Sequence, residues 1–357
     1  MKIIHVVGTR PNLIKLAPVW NEIKIQTSYD QMIIHTGQHY DVNMSQVFIN
    51  ELKIPKPNVN INIGSGTHAQ QTANIMIKIE HVLEKIKPDL VLIYGDVNST
   101  IAAALVCSKL FIPVGHVEAG LRSFDKTMPE EINRILTDQI SDLLFTPSKD
   151  GNINLEREGI DKKKIYFVGN VMIDTLFQML PKANLPNIKG LCKDYILVTL
   201  HRPSNVDQSK VLISIVNTLK EIGRTNQILF PMHPRTKKMF KEYNIVLSDK
   251  DNIKILDPIG YLDFLGLIKN SLVVITDSGG IQEETTYLNI PCLTLRENTE
   301  RPITINMGTN KLIGLDMVRL QNEITEITNG KIKQGKNPPL WDGKASLRIV
   351  NIIQDYL

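Results

Sequence analysis

The sequence predicts an α/β protein built from two doubly wound parallel sheets. Short apolar segments rich in Ile and Val recur between longer segments with helical spacing, and they fall into two series. Strands that are apolar along their whole length and alternate with helices are typical of parallel sheets covered on both faces. A chain of 357 residues is also longer than one hydrophobic core usually supports, which favours two domains.

Eleven apolar segments are predicted to be strands, each short and followed by turn residues or a helical pattern. The first half of the chain contains KIIHVV, QMIIHT, LVLIY, PVGHV, LLFT and IYFV. The second half contains YILVTL, QILFPM, IKIL, LVVIT and PCLTL. Two such domains that face each other place a ligand in the cleft, at the carboxyl ends of the strands.

The domain boundary is predicted after the sixth strand, where PKANLPNIKG, within residues 170–190, is rich in turn residues. We therefore predict one Rossmann-like domain over 1–172, a second over 173–342 and a separate C-terminal helix over 343–357. Apolar residues of this last segment recur at helical spacing. The loop KQGKNPPLWDG before it would let the helix leave the second domain and pack elsewhere.

Composition and charge argue against several functional classes. The 41 basic and 37 acidic residues nearly balance, so we expect no nucleic-acid partner, while a pI near 8.7 suits a small anionic ligand. Cys107, Cys192 and Cys292 form no CxxC pair and lie in or beside apolar segments, as reduced packing residues do. The first apolar segment is too short for a secretory signal, and no stretch reaches the ~18 residues of a membrane span. We therefore expect a cytoplasmic protein without membrane association.

The segment VVITDSGGIQEE predicts a phosphate site. A buried strand is followed by Gly279 and Gly280, which let a ligand approach the backbone, and by a helix whose first amides attract anions. A carboxylate one turn into this helix can accept hydrogen bonds from a ribose diol, and Glu284 suits that role better than Glu283. The alternative is a glycine-rich turn with capping acids.

A second anion site is indicated by GTRPNLIK, where Pro11 fits the first position of a helix. Arg10 ends the preceding strand and Lys15 lies one turn into the helix, close to amides that attract anions. The alternative is a pair of solvated surface cations.

Acidic residues follow two strands and begin one helix of the first domain. Carboxylates gathered at one sheet edge acquire different pKa values through burial and repulsion, which assigns a general acid and a general base. Each acid alone is typical of a cap or a turn, but Glu118 within the apolar HVEAG is costly without a purpose. The candidates are Asp96, His116, Glu118, Glu130, Glu131 and Arg134.

Histidine and arginine follow two strands of the second domain. His201 and Arg202 come after YILVTL, and His233 and Arg235 come after QILFPM, where they are predicted to contact the ligand. These histidines lack the short spacings of zinc ligands, so we predict no metal. GSGTHA lacks the third glycine of a dinucleotide fingerprint, and no GxxxxGK[ST] loop occurs, so we predict no cofactor.

Ten motifs in order along the chain resemble one family: GTRPNLIK, TGQHYDVNM, GDVNST, GHVEAGLRS, PEEINR, VGN, HRPSNVD, YLDFL, TDSGGIQEE and RENTERP. Together they identify the chain as similar to the non-hydrolysing UDP-N-acetylglucosamine 2-epimerases over essentially its whole length. The resemblance implies an isomerase of glycosyltransferase-B architecture whose final helix returns to the first domain. It also implies a UDP-sugar substrate and a homodimer.

The resemblance assigns roles to the matching positions. The catalytic residues are implied to be Asp96, Glu118, Glu130 and His201. Glu284 resembles the ribose ligand, and Phe264 resembles the ring stacked near uracil. The predicted substrate-binding residues are Arg10, Lys15, Arg134, His233, Phe264, Ser278, Gly279, Gly280, Glu284 and Arg301.

The resemblance also implies a mechanism without redox chemistry. The C2 proton of an N-acetylhexosamine is not next to a carbonyl carbon, so its direct removal would leave an unstabilised carbanion. The family eliminates UDP in an anti sense to give 2-acetamidoglucal, and adds UDP back after protonation on the opposite face. This reaction needs a base, stabilisation of the departing diphosphate and an acid. The product would feed cell-surface polysaccharide synthesis.

Three alternatives remain at this stage: a 2-epimerase of a related UDP-sugar (a 2,3-diacetamido uronic acid or a 6-deoxy-hexosamine), a glycosyltransferase, or a UDP-sugar-binding module without turnover. HVEAG followed by PEEINR argues against the second, and the three acids with His201 argue against the third. Many members of the family read GDTTTT and HRRE where this chain has GDVNST and HRPSN. Some bacterial members are activated by substrate at a second site, for which Gln38 and His39 are candidates, but Pro203 replaces an arginine near that region.

Overall fold

The two predicted α/β domains are present in a computed structural model that describes residues 1–37, 49 and 51–357. Over these residues the chain divides into two compact units. The first unit comprises Met1–Gln178 and Pro339–Leu357, and the second comprises Met179–Pro338. Every helix of the described chain is too short or too polar to cross a bilayer.

Over the described residues, all strands of the first unit's sheet run parallel. These are β1 (Lys2–Val7), β2 (Asp30–His35), β3 (Val59–Asn60), β4 (Leu90–Tyr94), β5 (Val114–Val117), β6 (Leu143–Thr146) and β7 (Ile165–Phe167). Their order across the sheet is β3-β2-β1-β4-β5-β6-β7. The helices are α1 (Arg10–Gln26), α2 (His68–Ile86), α3 (Asn98–Lys109), α4 (Pro129–Ile140), α5 (Lys149–Arg157) and α6 (Val171–Met179), with a 3₁₀ turn at Lys162–Lys164.

The second unit repeats the scheme with a parallel sheet of order β10-β9-β8-β11-β12-β13. Its strands are β8 (Tyr195–Thr199), β9 (Gln227–Pro231), β10 (Ile253–Leu256), β11 (Val273–Thr276), β12 (Cys292–Thr294) and β13 (Asn310–Leu312). Its helices are α7 (Pro203–Val206), α8 (Ser209–Gly223), α9 (Pro234–Glu242), α10 (Tyr261–Lys269), α11 (Gly279–Leu288), α12 (Pro302–Asn306) and α13 (Met317–Thr328). Two 3₁₀ turns lie at Leu180–Lys182 and Asp249–Asp251.

The inner strands are largely apolar because they bury both of their faces, as β8 shows. In β8, Ile196 and Val198 belong to a core that α8 and α13 cover. Tyr195 and Leu197 point to the opposite face, where they belong to a core with residues of α10 and α11. Side chains alternate between the two faces of a strand, so a strand covered on both faces needs an uninterrupted apolar run.

Two edge strands, β3 and β13, were absent from the sequence prediction. They are two and three residues long, VN and NKL. A segment this short shows no periodicity. In addition, a strand at the edge of a sheet need not be apolar on either face. Pairing with β2 and β12 therefore decides that these residues are strands.

The contacts divide the chain after Gln178 rather than after residue 172 because α6 remains bonded to the first unit. Thr175 Oγ1 donates a hydrogen bond to the carbonyl of Ile14 at 2.6 Å. Asp174, fully buried, accepts hydrogen bonds from the segment that begins the last helix.

The chain re-enters the first unit at Pro339 rather than at residue 343. Trp341 is buried, and its Nε1 donates to the carbonyl of Pro147 at 3.0 Å. The last helix, α14 (Ala345–Tyr356), packs against α1. The amides of Ala345 and Ser346, which open this helix, donate to Asp174 at 3.1 and 2.7 Å.

Candidate active site

Each unit has one position where the strand order reverses, and the predicted residues cluster there. In the first sheet the reversal lies between β1 and β4, and in the second between β8 and β11. Ligands of open α/β sheets bind at such a position, outside the carboxyl ends of the strands. The loops after these four strands contain GTRPN, GDVNS, HRPSN and DSGG.

In the first unit, Lys15 and Glu118 form a buried ion pair. Lys15 Nζ lies 2.5 Å from Glu118 Oε1, and both side chains are almost inaccessible. Gly95 has a φ of +65°, and a Cβ there would come within 2.9 Å of Lys15 Nζ. Position 95 therefore suits glycine, because a residue with a Cβ would be strained at this φ and its Cβ would crowd the ammonium group.

Glu118 itself has a backbone conformation that is rare for its residue type. Its φ is 80°, in the left-handed region, which costs a residue with a Cβ about 1–2 kcal/mol. Such strain persists where the surrounding structure enforces it, often at functional sites. The strained backbone directs the Glu118 carboxylate to Lys15, at the carboxyl end of β5.

Asp96 and Glu131 share one arginine. Arg134 Nη1 donates to Asp96 Oδ2 at 2.5 Å, and Arg134 Nη2 donates to Glu131 Oε2 at 2.7 Å. Arg134 is 2% exposed, so in this structure its guanidinium is engaged with these carboxylates. Arg134, predicted to bind substrate, thus fixes the orientation of Asp96.

Glu130 and Glu131 are neighbours in the first turn of α4, but their environments differ. Glu131 is buried and accepts hydrogen bonds from the amides of Ser123 and Phe124 as well as from Arg134. Burial would raise the pKa of Glu131, but these amide and guanidinium bonds hold it below its usual value. Glu130 is half-buried. Glu131 is therefore an anchor of the preceding loop, and Glu130 is the acid available to a ligand.

His116 stabilises this edge of the sheet from within the core. Its side chain is fully buried, with Nδ1 2.6 Å from Asp138 Oδ1 and Nε2 2.8 Å from the carbonyl of Gly95. Burial would raise the pKa of Asp138, but His116 and Arg122 lower it. His116 thus holds the backbone that presents Asp96 rather than contacting a ligand itself.

Asn12 was not recognised in the sequence, although it ties the two loops at the reversal together. Its Oδ1 accepts from the amides of Gly8 and Thr9 at 3.1 and 3.0 Å, and its Nδ2 donates to the carbonyl of Tyr94 at 2.8 Å. Arg10 begins α1 immediately after these amides and is partly exposed. The signal available in the sequence was a polar residue at a buried position of α1.

In the second unit, Asp277 organises the loop after β8. It is fully buried, and its carboxylate accepts from the amides of His201 and Arg202 and from Asn205 Nδ2. His201 Nδ1 lies 3.0 Å from Asp277 Oδ1. The sequence analysis did not assign Asp277, although an acid directly after a buried strand was the available signal.

The N-terminus of α11 lies against a cluster of buried charges. Ser278 is the residue before the helix, and Gly279 is its first residue. A Cβ on Gly279 would come within 2.5 Å of Arg301 Nη1 and 2.7 Å of Glu300 Oε1. Arg301 also pairs with Glu283, whose Oε1 lies 2.9 Å from Nε. The helix amides and the Arg301 guanidinium therefore combine at one location.

Glu300 is a second acid that the sequence analysis did not assign. It pairs with Arg301 and with Arg296, the latter at 2.6 Å, and Arg202 Nη2 lies 3.8 Å from it. Burial would raise the pKa of Glu300, but the three arginines hold it well below its usual value. Three guanidinium groups around Glu300 leave this region attractive to an anion.

Glu284 is buried one turn into α11, where Tyr261 donates a hydrogen bond to its Oε1 at 2.9 Å. Burial raises the pKa of Glu284 to about 7, and the neighbouring Glu283 adds to the rise while Tyr261 opposes it. Phe264 lies one turn after Tyr261 on α10, half-buried against the core beneath.

His233 is the residue before α9, and its ring lies 5.4 Å from the ring of His201. Its Nδ1 accepts from the amide of Arg235 at 3.2 Å. Arg235 forms an ion pair with Asp207, which raises the pKa of Arg235 and lowers that of Asp207. His233 therefore lies beside His201, whereas Arg235 is engaged elsewhere.

The predicted residues fall into two groups according to the unit that contains them. The first group contains Arg10, Lys15, Asp96, Glu118, Glu130 and Arg134. The second contains His201, His233, Phe264, Ser278, Gly279, Gly280, Glu284 and Arg301. Gln38 and His39, the possible allosteric residues, lie outside the described residues. Within the described chain, no group of three or more His, Cys, Asp or Glu side chains is arranged to hold a metal ion.

Residues 21–354 match the family model described as UDP-N-acetylglucosamine 2-epimerase. The UDP-N-acetylglucosamine 2-epimerase of Methanocaldococcus jannaschii is 48% identical, over 99% of this chain and 99% of that protein. The chain belongs to the UDP-N-acetylglucosamine 2-epimerase family. The resemblance stated from the motifs is therefore confirmed, as is the predicted enzyme class, because an epimerase is an isomerase.

Solved structures confirm the fold of this UDP-N-acetylglucosamine 2-epimerase family member. The M. jannaschii UDP-GlcNAc 2-epimerase in complex with UDP-GlcNAc and UDP matches with a TM-score of 0.92 and 48% identity, covering 99% of this chain and 100% of that one. A lipopolysaccharide outer core galactosyltransferase, 14% identical with a TM-score of 0.55, shares the fold alone. The predicted glycosyltransferase-B architecture is therefore confirmed.

One relative within the family has a different substrate in its name. The UDP-2,3-diacetamido-2,3-dideoxy-D-glucuronate 2-epimerase of Pseudomonas aeruginosa is 42% identical, over 99% of this chain and 99% of that protein. Family membership therefore fixes the reaction type more firmly than the sugar.

Proposed function

We propose that the chain is a non-hydrolysing UDP-N-acetylglucosamine 2-epimerase that interconverts UDP-GlcNAc and UDP-ManNAc. One observation supports this most directly. The full-length match, at a TM-score of 0.92, is to an epimerase whose structure holds UDP-GlcNAc and UDP. The residues described above include carboxylates and cations in the first unit, and helix amides and cations in the second. Such a substrate requires all of these groups.

The reaction proceeds by anti elimination of UDP to 2-acetamidoglucal, followed by re-addition. A base removes the C2 proton while the bond from C1 to the diphosphate oxygen breaks, so the electron pair leaves with UDP. Protonation of C2 from the opposite face and return of UDP to C1 give the epimer. No net oxidation occurs, so the reaction requires no redox cofactor.

The first unit supplies the acid and base groups of this proposal. Asp96, Glu118 and Glu130 are its three carboxylates, and general acid–base catalysis by such groups contributes about 10²–10⁴-fold. Lys15 holds Glu118, and Arg134 holds Asp96. Each pairing limits the carboxylate to one orientation, as catalysis through positioned groups requires.

The second unit supplies the UDP site. Ser278, the amides of Gly279 and Gly280 at the start of α11, and the guanidinium of Arg301 stabilise the diphosphate. Their stabilisation is greatest when the diphosphate leaves, because its charge then increases. Glu284 binds the ribose hydroxyls and Phe264 stacks near uracil, while His201 completes the catalytic set.

The decisive test is proton NMR of the purified protein with UDP-GlcNAc in heavy water. The expected result is a UDP-ManNAc signal with deuterium at C2, because the proton removed by the base exchanges with solvent. A manno product that retains its C2 proton would contradict elimination with solvent exchange. UDP binding without any epimer would contradict the assignment of UDP-GlcNAc as substrate.

A second candidate substrate is a UDP-2,3-diacetamido uronic acid, favoured by the 42% identity to the P. aeruginosa epimerase. The same NMR experiment with this sugar nucleotide distinguishes the two. We expect turnover of UDP-GlcNAc to exceed that of the uronate by at least tenfold in kcat/KM. The opposite ratio would assign the chain to the uronate.

We further propose that the protein is a cytoplasmic homodimer that supplies a precursor for cell-surface polysaccharide. The family resemblance supports the dimer and the precursor role. Light scattering of the purified chain should give twice the 40.3 kDa mass. A mass of one chain at micromolar concentration would contradict the dimer.

A further inference from the structure

Asp277 contacts both the backbone and the side chain of His201, and these contacts can set the orientation and the tautomer of the ring. Its carboxylate accepts the amide of His201 at 3.0 Å, the amide of Arg202 at 2.9 Å and Asn205 Nδ2 at 3.1 Å. The same carboxylate lies 3.0 Å from His201 Nδ1. Asn205 also donates to the carbonyl of Leu295 at 2.9 Å, which anchors Asp277's partners to the end of β12.

We propose that Asp277 is a positioning residue that keeps the proton of neutral His201 on Nδ1 and presents Nε2 to the sugar nucleotide. The proposal rests on the proposed function, in which His201 is part of the catalytic set. It adds a residue to which the motifs assigned no role.

The geometry supports one tautomer. An ionised carboxylate only accepts hydrogen bonds, so the short contact to Nδ1 requires a proton on that nitrogen. Burial would raise the pKa of Asp277, but His201 and the two backbone amides lower it, so the carboxylate is ionised near neutral pH. The other ring nitrogen, Nε2, is then a hydrogen-bond acceptor in the neutral ring and a donor when the ring is protonated.

The arrangement also fixes the ring in space. Asp277 bonds the backbone and the side chain of the same residue, so the His201 ring cannot rotate without losing a contact to a fully buried carboxylate. The His201 side chain is 38% exposed. One edge of the ring is therefore held while the other is accessible to a ligand, as in other histidines oriented by an acid.

The kinetic test compares Asp277→Asn with and without His201→Gln. Asparagine keeps the shape of the side chain and one oxygen for the amides, but removes the charge. We expect Asp277→Asn to lower kcat about 10²-fold while KM changes less than about threefold, since the ring's protonation and not substrate binding is altered. In the His201→Gln background, Asp277→Asn should lower kcat by less than about threefold, because residues that act as a unit are not additive.

Asp174→Asn is the matched control. Asp174 is also a buried carboxylate that accepts two backbone amides, those of Ala345 and Ser346, but it touches no histidine of the site. Its effect on kcat should be the same factor with and without His201→Gln. If Asp277→Asn behaves like this control, Asp277 acts only on the fold and the proposal is wrong.

Nitrogen NMR of histidine-labelled wild-type protein tests the tautomer without any change at Asp277. The His201→Gln spectrum identifies the His201 signals. We expect a protonated Nδ1 and an unprotonated Nε2 at a pH where the ring is neutral, and a proton on Nε2 there would overturn the proposal. This measurement needs no turnover, so it decides the inference even if the chain does not epimerise UDP-GlcNAc.

Discussion

Replacing Glu284 with glutamine should stabilise the second unit above neutral pH. It should also remove the part of the pH dependence of the free energy of unfolding that Glu284 causes. Glu284 is 3% exposed, and burial raises its pKa from the ordinary 4.5 to about 7. Between these two values the folded chain holds a proton that the unfolded chain has lost. The contribution of Glu284 to the free energy of unfolding is therefore complete below pH 4.5 and falls as the pH rises to 7.

The size of the effect follows from the same numbers. At ~1.4 kcal/mol for each tenfold change in the ionisation constant, a rise from 4.5 to about 7 corresponds to about 3 kcal/mol at most. Between pH 5 and pH 8, the free energy of unfolding of the wild type should fall by about 2–3 kcal/mol more than that of Glu284→Gln. Glutamine keeps an acceptor for the hydroxyl of Tyr261, which donates to Glu284 in the wild type.

Urea unfolding at the two pH values measures this difference. Both tryptophans, Trp20 and Trp341, lie in the first unit, so fluorescence follows that unit and circular dichroism follows both. Glu326→Gln, which alters an exposed ion pair with Lys331 in the same unit, is the control and should follow the wild type. If wild type and Glu284→Gln change equally between pH 5 and pH 8, Glu284 is ionised in the folded protein and the reasoning is refuted.

Four further substitutions test separate parts of the molecule. Glu130→Gln should lower kcat about 10²-fold with unchanged urea stability. Glu131→Gln should lower the free energy of unfolding by about 1–3 kcal/mol, because the Ser123 and Phe124 amides bond different oxygens of Glu131 and glutamine keeps only one acceptor oxygen. Equal stabilities would contradict the assignment of Glu131 as anchor. Gly279→Ala should weaken UDP binding about tenfold or more, because the new Cβ would lie 2.5 Å from Arg301 Nη1. Calorimetry measures this loss of affinity. The control Gly66→Ala, whose Cβ would meet only ordinary contacts, should bind UDP as the wild type does. Asp174→Asn should lower the free energy of unfolding, measured by tryptophan fluorescence, by about 1–3 kcal/mol. Proteolysis near Pro339 should become faster in this variant. An unchanged cleavage rate would mean that α14 is held without Asp174.

Most of the fold was predictable because it depends on local pattern. Each of the eleven predicted strand segments coincides with an observed strand, with ends that differ by at most one residue. Strands buried on both faces need uninterrupted apolar runs, and such runs are visible in the sequence. The edge strands β3 and β13 were missed because their conformation is set by a neighbouring strand and not by their own residues.

The roles of charged residues were less predictable because they depend on distant partners. Arg134 is predicted to bind substrate, and in the structure its guanidinium lies between Asp96 and Glu131. Whether an arginine faces a ligand or an acid depends on which loop lies opposite, and Asp96 is 38 positions away in sequence. The sequence could not show that Arg134 contacts these two carboxylates.

The strand order explains which pairs a sequence pattern cannot reveal. Lys15 and Glu118 are 103 positions apart, and His201 and Asp277 are 76 positions apart. The second pair meets because β8 and β11, which are not consecutive in the chain, are neighbours where their sheet reverses its order. A glycine-rich turn or an acid after a strand can be recognised from the adjacent sequence. The residue that each of them contacts is decided only when two non-consecutive strands become neighbours in the sheet. Asp277 was overlooked for this reason, and its counterpart in any related chain should be sought at the end of the strand that adjoins the strand before the histidine.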